Sequence, residues 1–256
     1  MLKEGRIPAA AIVGLVLGAL FVRASIQGPP GLPLLARYDF ENRKTDGWLP
    51  KDPGHWRVVK KDGSMVYELT APGEQGTVRA PTSWSLLSGH DVTSFVFTGR
   101  LQCYAEPANP MRDMCVIFHY QDPSHFYYVH FAASSDGLHN VIALVNGSDR
   151  VKINTEPEGK SVFRLTDMKW HDFKVTCDDA TGEIKAYLDD MSVPILTARD
   201  RTLGRGLAGV GSFDDIGCFD DIKLWGKKQR PPARNATPTI SYRTPRPGPG
   251  DRARPG

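Results

Sequence analysis

Histidine and tyrosine side chains are concentrated in residues 118–132, where strand-like alternation would place several of them on one face. In the segment 126–132, Tyr128 and His130 have the same parity, and the intervening residues have the other. An aromatic ring can stack on a pyranose face while polar side chains hydrogen-bond the sugar hydroxyls. We therefore predict a glycan-binding patch on a curved sheet, with an ordinary polar sheet face as the alternative interpretation. The predicted patch consists of Arg100, Gln102, His119, Gln121, Tyr128 and His130.

The acidic residues do not indicate an obvious catalytic pair. Glycoside hydrolysis needs two carboxyl groups on opposite sides of the scissile bond. The acidic pairs here are adjacent in sequence, so their members point to opposite faces if extended, and turn formation is the commoner role of such pairs. They are Asp178-Asp179, Asp189-Asp190, Asp214-Asp215 and Asp220-Asp221. No Gly-x-Gly-x-x-Gly, phosphate-loop or Gly-x-Ser-x-Gly motif is present, and without His-x-His or Glu-x-x-His a zinc site is not favoured.

Strands, rather than helices, must position these side chains. Between residues 37 and 226, short apolar or alternating segments are separated by turn sequences such as DGS, YQDPS and DDATGE. No apolar pattern with helical period persists over ten or more residues. The sequence therefore predicts an all-β domain over 37–226, a two-sheet antiparallel jelly-roll sandwich with about a dozen strands.

The segments outside this domain differ from it in composition. A basic start followed by an apolar run from Ile7 to Val22 and a small-residue exit is typical of a signal peptide, here residues 1–24, with a retained signal-anchor as the alternative. Residues 25–36 are a Pro/Gly linker. Residues 227–256 contain eight Lys and Arg against one Asp, although the whole chain carries only +3, and predict a disordered basic Pro-rich tail.

These segments determine the expected location and partners. We expect a secreted or periplasmic, extracytoplasmic protein that recognises a glycan or cell-envelope polymer. The basic tail is expected to contact anionic polymers, with a solvated tail as the alternative. The positive charge lies in the tail, so no specific nucleic acid partner is predicted for the domain. Membrane contact is expected only if the N-terminal segment is retained.

Four cysteines lie in the predicted domain, and an exported protein can keep disulfides. Cys103 and Cys115 flank one connection and are the favoured pair. Buried free thiols are the alternative for all four residues.

Several stretches resemble concanavalin A-like, laminin-G-like jelly-roll domains. They are Tyr38-Asp39-Phe40-Glu41, Asp46-Gly47-Trp48, Phe118 to Tyr128, Trp170 to Val175, Gly182 to Asp189 and Cys218 to Leu224. The resemblance covers about 190 residues and implies a lectin, adhesion or glycosidase-like module. It also implies a structural calcium ion where the first and last strands meet, held by Asp39, Glu41 and Asp220, because Ca²⁺ prefers several oxygen ligands.

A looser resemblance to exported bacterial 3-keto-disaccharide hydrolases implies a hydrolase acting through the concave sheet face. The chain lacks their Leu-Phe-Asn-Gly-Lys-Asp-Leu opening and the Glu-x-Asp-x-x-Glu spacing of sandwich-fold glucanases. Binding without catalysis is therefore the favoured function, hydrolysis is the alternative, and a purely structural role stays open.

Overall fold

The computed structural model describes residues 28–155 and 163–228, which form fifteen strands and one 3-10 helix at Pro53–His55. The strands in chain order are β1 (Leu34–Tyr38), β2 (Trp48–Pro50), β3 (Trp56–Lys61), β4 (Ser64–Leu69), β5 (Ser83–Leu87), β6 (Val92–Cys103), β7 (Asp113–Asp122), β8 (His125–Ala132), β9 (Val141–Asn146), β10 (Val151–Lys152), β11 (His171–Asp178), β12 (Glu183–Leu188), β13 (Leu196–Arg199), β14 (Leu207–Ser212) and β15 (Gly217–Lys228).

The strands are arranged in two antiparallel sheets. The first sheet has eight strands in the order β13-β12-β11-β6-β15-β4-β3, with β1 paired to β15. The second has seven strands in the order β10-β9-β8-β7-β14-β5-β2. The predicted all-β, two-sheet jelly-roll sandwich is confirmed.

The main core lies between the two sheets, and strand alternation determines which side chains enter it. In β11, Phe173, Val175 and Cys177 are buried, while the intervening side chains are half-buried or exposed. The turn after β11 closes through Gly182, which adopts φ +72° and whose amide donates to the carbonyl oxygen of Asp178 at 2.7 Å. A left-handed backbone of this kind favours glycine.

A second apolar cluster covers the outer face of the second sheet. It includes Trp84 of β5, Ile117 of β7, Phe126 and Tyr128 of β8, and Val145 of β9. A sheet face exposed to water would alternate with polar residues, whereas a covered face keeps apolar ones. The outer face of this sheet is therefore packed against other parts of the chain.

The cysteines differ from the favoured pairing. Cys103 lies in the core between the sheets, while Cys115 lies in the second cluster on the far side of β7. All four cysteines are free and buried. Spacing in sequence did not reveal that the two cysteines belong to different layers.

The ends of the domain also differ from expectation. Residues 34–36, assigned to the linker from composition, form the start of β1, because Leu34 and Ala36 pair with Trp225 and Leu224 of β15. The predicted signal segment 1–24, the first residues of the linker and residues 229–256 of the predicted tail lie outside the described residues.

Candidate functional site

The six residues of the predicted patch do not lie on one surface. Arg100 and Gln102 belong to β6 in the first sheet, whereas the other four belong to β7 and β8 in the second. The prediction of a single patch is therefore wrong. The prediction fails because the chain passes from the first sheet to the second between β6 and β7. Alternation assigns a side chain to one face of its strand, but it does not show to which sheet the strand belongs.

Tyr128 and His130 are buried rather than open to a ligand. They share the outer face of β8, as predicted, but their exposed fractions are 0% and 2%. Burial raises the pKa of the Tyr128 phenol. Both side chains pack against Phe213, with ring centroids 5.7 and 4.9 Å away. Neither is placed to contact a ligand on an open sheet face.

Residues 70–82, which connect β4 to β5 without regular structure, cover this face. At one edge of the second sheet, Lys51 Nζ donates to the carbonyl oxygen of Glu74 at 2.7 Å. At the opposite edge, the Arg79 amide donates to Asp149 Oδ1 at 2.7 Å and the Arg150 amide donates to the Arg79 carbonyl at 3.1 Å. The segment therefore crosses the sheet, and Val78 and Ala80 pack into the second apolar cluster.

His119 joins β6 to the loop between β13 and β14 instead of facing a ligand. It has φ +46° within a register shift of β7, so its ring leaves the face that alternation assigned to it. Its Nδ1 lies 2.7 Å from the Leu203 carbonyl oxygen and its Nε2 lies 2.7 Å from the Thr93 carbonyl oxygen. Burial lowers the pKa of His119, and the two carbonyl contacts act in the opposite direction.

Gln121 is exposed and lines an open pocket of about 360 Å³, which we call the edge pocket. Its lining residues are Asp91, Tyr120, Gln121, Arg205, Gly206 and Leu207. This volume falls within the range of about 300–1,000 Å³ that small-molecule sites occupy. Of the six predicted residues, only Gln121 lines this pocket among the residues that the structure describes.

The edge pocket combines a carboxylate, a guanidinium, an amide and an aromatic ring. Gln121 Nε2 donates to the Arg205 carbonyl oxygen at 3.0 Å, and Arg205 NH1 lies 3.6 Å from Asp91 Oδ2. Asp91 Oδ1 is itself buried and has no hydrogen-bond partner among the described residues, although the Asp91 side chain as a whole is 38% exposed. Tyr120 packs against Trp84 and Phe126, and burial raises its pKa to about 12, so the phenol is a neutral hydroxyl at neutral pH.

Gly206, the residue before β14, allows the backbone there to approach β7 closely. A Cβ atom at Gly206 would lie 2.3 Å from the carbonyl carbon of His119 and 2.5 Å from the Tyr120 nitrogen. Its φ of +156° is also unfavourable for other residues.

The pocket residues Asp91, Arg205 and Leu207 are distant in sequence from Gln121, and sequence reasoning missed them.

Arg100 and Gln102 are engaged within the first sheet. The Arg100 guanidinium forms an ion pair with Asp220 and lies 4.4 Å above the Trp170 ring. Gln102 is buried and its side-chain amide donates to the Met168 carbonyl oxygen. Both side chains thus stabilise contacts between β6 and its neighbours.

Glu41 and Asp220, two of the three carboxylates predicted to hold calcium, meet at one hydroxyl: Ser64 Oγ lies 2.7 Å from Glu41 Oε1 and 3.3 Å from Asp220 Oδ2. Asp39 Oδ2 lies 3.8 Å from Arg37 NH2, whereas Glu41 Oε1 accepts from Ser64 Oγ at 2.7 Å. Asp220 is bound by the Arg100 guanidinium. A cation already neutralises Asp220, and Ca²⁺ needs six to eight oxygen ligands. Arg100 thus supplies at Asp220 the positive charge that a calcium ion was expected to supply.

His130 belongs to a separate cluster at the opposite rim of the second sheet. His130 Nε2 lies 2.7 Å from Asp113 Oδ2, and both side chains are 2% exposed. They line a small cavity of about 130 Å³, the rim cavity, together with Arg79, Met111, His139, Arg150, Phe213 and Asp214. Nearby, burial and the charge of Asp113 raise the pKa of Asp215 to about 6.

Comparison with solved structures identifies the class of fold. A GH16 protein of Bacteroides ovatus, from a mixed-linkage glucan system and in complex with a product, matches with a TM-score of 0.52 and 10% identity over 74% of this chain and 99% of that chain. Peanut lectin matches with 0.51 and 10% identity over 77% and 99%. The carbohydrate-binding module CBM66 of Bacillus subtilis matches with 0.48 and 17% identity over 70% and 96%.

The chain therefore has a concanavalin A-like jelly-roll fold. No protein-family model matches the sequence, and no curated protein sequence matches it. Within the described residues, no helix has the length and apolar character needed to cross a membrane.

Proposed function

We propose that this protein is an exported carbohydrate-binding module that recognises a glycan or cell-envelope polymer at the edge pocket. The observation that carries the proposal is the pocket itself, which joins an aromatic ring to side chains that donate and accept hydrogen bonds. The fold adds support, because the Bacteroides ovatus neighbour holds a glucan product. Export rests on the signal-like sequence of residues 1–24.

Each lining side chain has a distinct role in the proposed binding. The Asp91 carboxylate, whose side chain is 38% exposed, accepts from a sugar hydroxyl, and the Arg205 guanidinium and Gln121 amide donate to hydroxyl or ring oxygens. Tyr120 offers aromatic surface and a neutral hydroxyl. A site with both donors and acceptors matches sugar hydroxyls, which also do both.

Binding is favoured over hydrolysis by the number of carboxylates. Among the described residues, Asp91 is the single carboxylate that lines the edge pocket. Hydrolysis of a glycosidic bond uses a pair of carboxyl groups about 5–9.5 Å apart. The alternative of a 3-keto-disaccharide hydrolase-like activity therefore has no carboxylate pair at this pocket to support it.

The basic tail and the predicted calcium ligands have no proposed contact with the sugar. The basic tail is proposed to hold the module near anionic envelope polymers. Calcium has no role in recognition here, because Asp39, Glu41 and Asp220 lie apart from the edge pocket and Arg100 already neutralises Asp220.

The test is a glycan array probed with the full chain, followed by titration calorimetry with the strongest ligand. We expect Asp91→Asn and Gln121→Ala to weaken binding at least tenfold, because each removes a hydrogen-bonding group from the pocket. The matched control is Asp62→Asn, an exposed turn residue with φ +50° that lies outside the pocket. Absence of binding by the parent chain, or equal binding by all three variants, would overturn the proposal.

A further inference from the structure

Three side chains with different metal-binding atoms face one another on the outer side of the second sheet. Asp113 and Cys115 are two residues apart on β7 and therefore point to the same face. His130 on β8 is the register partner of Cys115. One ligand atom from each of the three residues lies within 4.8 Å of the others, and all three residues are buried.

The surroundings orient the His130 ring for a ligand at Nε2. His130 Nδ1 lies 3.0 Å from the Leu138 carbonyl oxygen, and since a carbonyl only accepts, Nδ1 carries a hydrogen. Nε2 then points at Asp113 Oδ2, 2.7 Å away. Two acceptors this close need a positive species between them, either a proton or a metal ion. Metal-bound histidines commonly donate their second ring nitrogen to a backbone carbonyl in this way.

Asp113 is held in a similar manner. Its Oδ1 accepts from the Ser212 hydroxyl, and the Phe213 amide lies 3.2 Å from both Oδ1 and Oδ2. These donors restrain the carboxylate while Oδ2 stays directed at His130. The outer contacts that orient both side chains are therefore already in place.

We propose that Asp113, Cys115 and His130 bind a zinc-type divalent transition metal ion, with a fourth position open to the rim cavity. A thiolate, an imidazole and a carboxylate form a ligand set that zinc accepts, and three protein ligands with one open position are the arrangement of reactive zinc sites. Asp113 and His130 line the rim cavity, so a water molecule placed there reaches the fourth position.

Metal binding replaces protons in this cluster. The ion displaces the proton shared by His130 and Asp113 and the proton of the Cys115 thiol, so one Zn²⁺ enters and two protons leave. Without metal the thiol stays protonated, because burial raises the pKa of Cys115. Bond lengths of about 2.0–2.3 Å imply ligand-to-ligand distances of about 3.3–3.8 Å, so the His130 and Asp113 side chains must move apart by less than about 1 Å.

The site is independent of the edge pocket. His130, Asp113 and Cys115 do not line that pocket, and Gln121 does not line the rim cavity. A substitution that weakens glycan binding at the edge pocket is therefore expected to leave metal binding unchanged, and a substitution in the metal site is expected to leave glycan binding unchanged.

The test is titration of the untagged, chelator-treated full chain with Co²⁺ under reducing conditions. We expect one equivalent of Co²⁺ to produce ligand-field absorption together with a thiolate-to-cobalt charge-transfer band, and Zn²⁺ to abolish both. Cys115→Ser should lose the charge-transfer band, and Asp113→Asn should weaken binding about tenfold or more. The matched control is Cys218→Ser, a buried cysteine in the first sheet, which should keep the band.

Folding is checked separately, because substitutions in a buried cluster can destabilise the chain. Far-ultraviolet circular dichroism of Cys115→Ser must match that of Cys218→Ser. As a second measurement of metal binding, the parent chain in weak buffer is expected to release about two protons for each ion that binds. A parent chain that gives no charge-transfer band would overturn the proposal, as would a band that persists in Cys115→Ser.

Discussion

The ion pair between Arg100 and Asp220 is the contact whose removal has the most calculable effect. Asp220 is 1% exposed and the Arg100 side chain is 14% exposed. Arg100 Nε also lies 3.4 Å from Asp221 Oδ2, and the guanidinium stacks on the Trp170 ring. Substitution of Arg100 by methionine preserves the aliphatic packing but leaves the Asp220 carboxylate buried without its cation.

Removing one partner of a buried ion pair costs about 3–5 kcal/mol, because the remaining charge is desolvated and unpaired. For a domain of this size, about 2–4 °C of melting temperature corresponds to each kcal/mol. We therefore expect Arg100→Met to lower the melting temperature by about 6–20 °C at neutral pH. The double variant Arg100→Met/Asp220→Asn should recover most of the loss, because its buried amide carries no charge.

The pH dependence follows from the direction of the Asp220 pKa. Burial raises this pKa above its ordinary value, and Arg100 opposes the rise. Without Arg100 the pKa of Asp220 in the folded chain rises further. Above about pH 4 the carboxylate ionises in the unfolded chain but is held protonated in the folded chain, so the free energy of unfolding falls as the pH rises. The deficit of Arg100→Met should therefore be large at neutral pH and should shrink on acidification towards about pH 4.

Urea denaturation of the parent, the single variant and the double variant at two pH values measures these quantities. A loss below about 1 kcal/mol in Arg100→Met, the size typical of an exposed pair, would refute the reasoning. A double variant as unstable as the single variant would refute it as well, since the loss would then come from packing rather than from the unpaired charge.

Three further perturbations test other contacts. Lys51→Met should cost about 1.5–3 kcal/mol and speed proteolytic cleavage within residues 70–82, because Lys51 Nζ binds two carbonyl groups of that segment; unchanged cleavage would show that other contacts hold it. Tyr67→Phe should cost about 1–2 kcal/mol in urea denaturation by leaving the Ser85 hydroxyl unpaired, and Tyr67→Phe/Ser85→Ala should recover part of this loss. Calcium added to the chelator-treated chain should change the melting temperature by less than about 1 °C, since a cation already neutralises Asp220, and a rise of several degrees with calcium would contradict this.

Local sequence patterns predicted the fold because alternation is a local property. The parity of Phe173, Val175 and Cys177 in β11 matches their burial between the sheets. The same parity argument placed Tyr128 and His130 correctly on one face of β8. It could not show that this face is covered, because the covering residues 70–82 lie more than forty positions away and have no regular pattern.

The candidate sites depend on relations between distant segments, which one sequence does not reveal. The edge pocket brings Asp91 and Arg205 to Gln121, and these become neighbours through the register of β7 with β14 together with the bridge between Val92 and Gly206. The proposed metal site depends on Cys115 opposing His130 across the β7–β8 pair. A search for closely spaced metal ligands fails here, since the ligands come from two strands rather than from one short motif.

The covering segment determines where a ligand can bind. If residues 70–82 were absent, the rings of Trp84, Phe126 and Tyr128 would form an apolar surface across the second sheet, a type of surface that usually marks an interaction site. With the segment in place, these rings stabilise the fold, and the edge pocket opens at the end of β7, where Tyr120 packs on Trp84 and Phe126 and lines the pocket. A glycan is therefore expected to contact a small polar pocket and a single ring, which favours recognition of a chain end or one sugar unit over binding along an extended polymer.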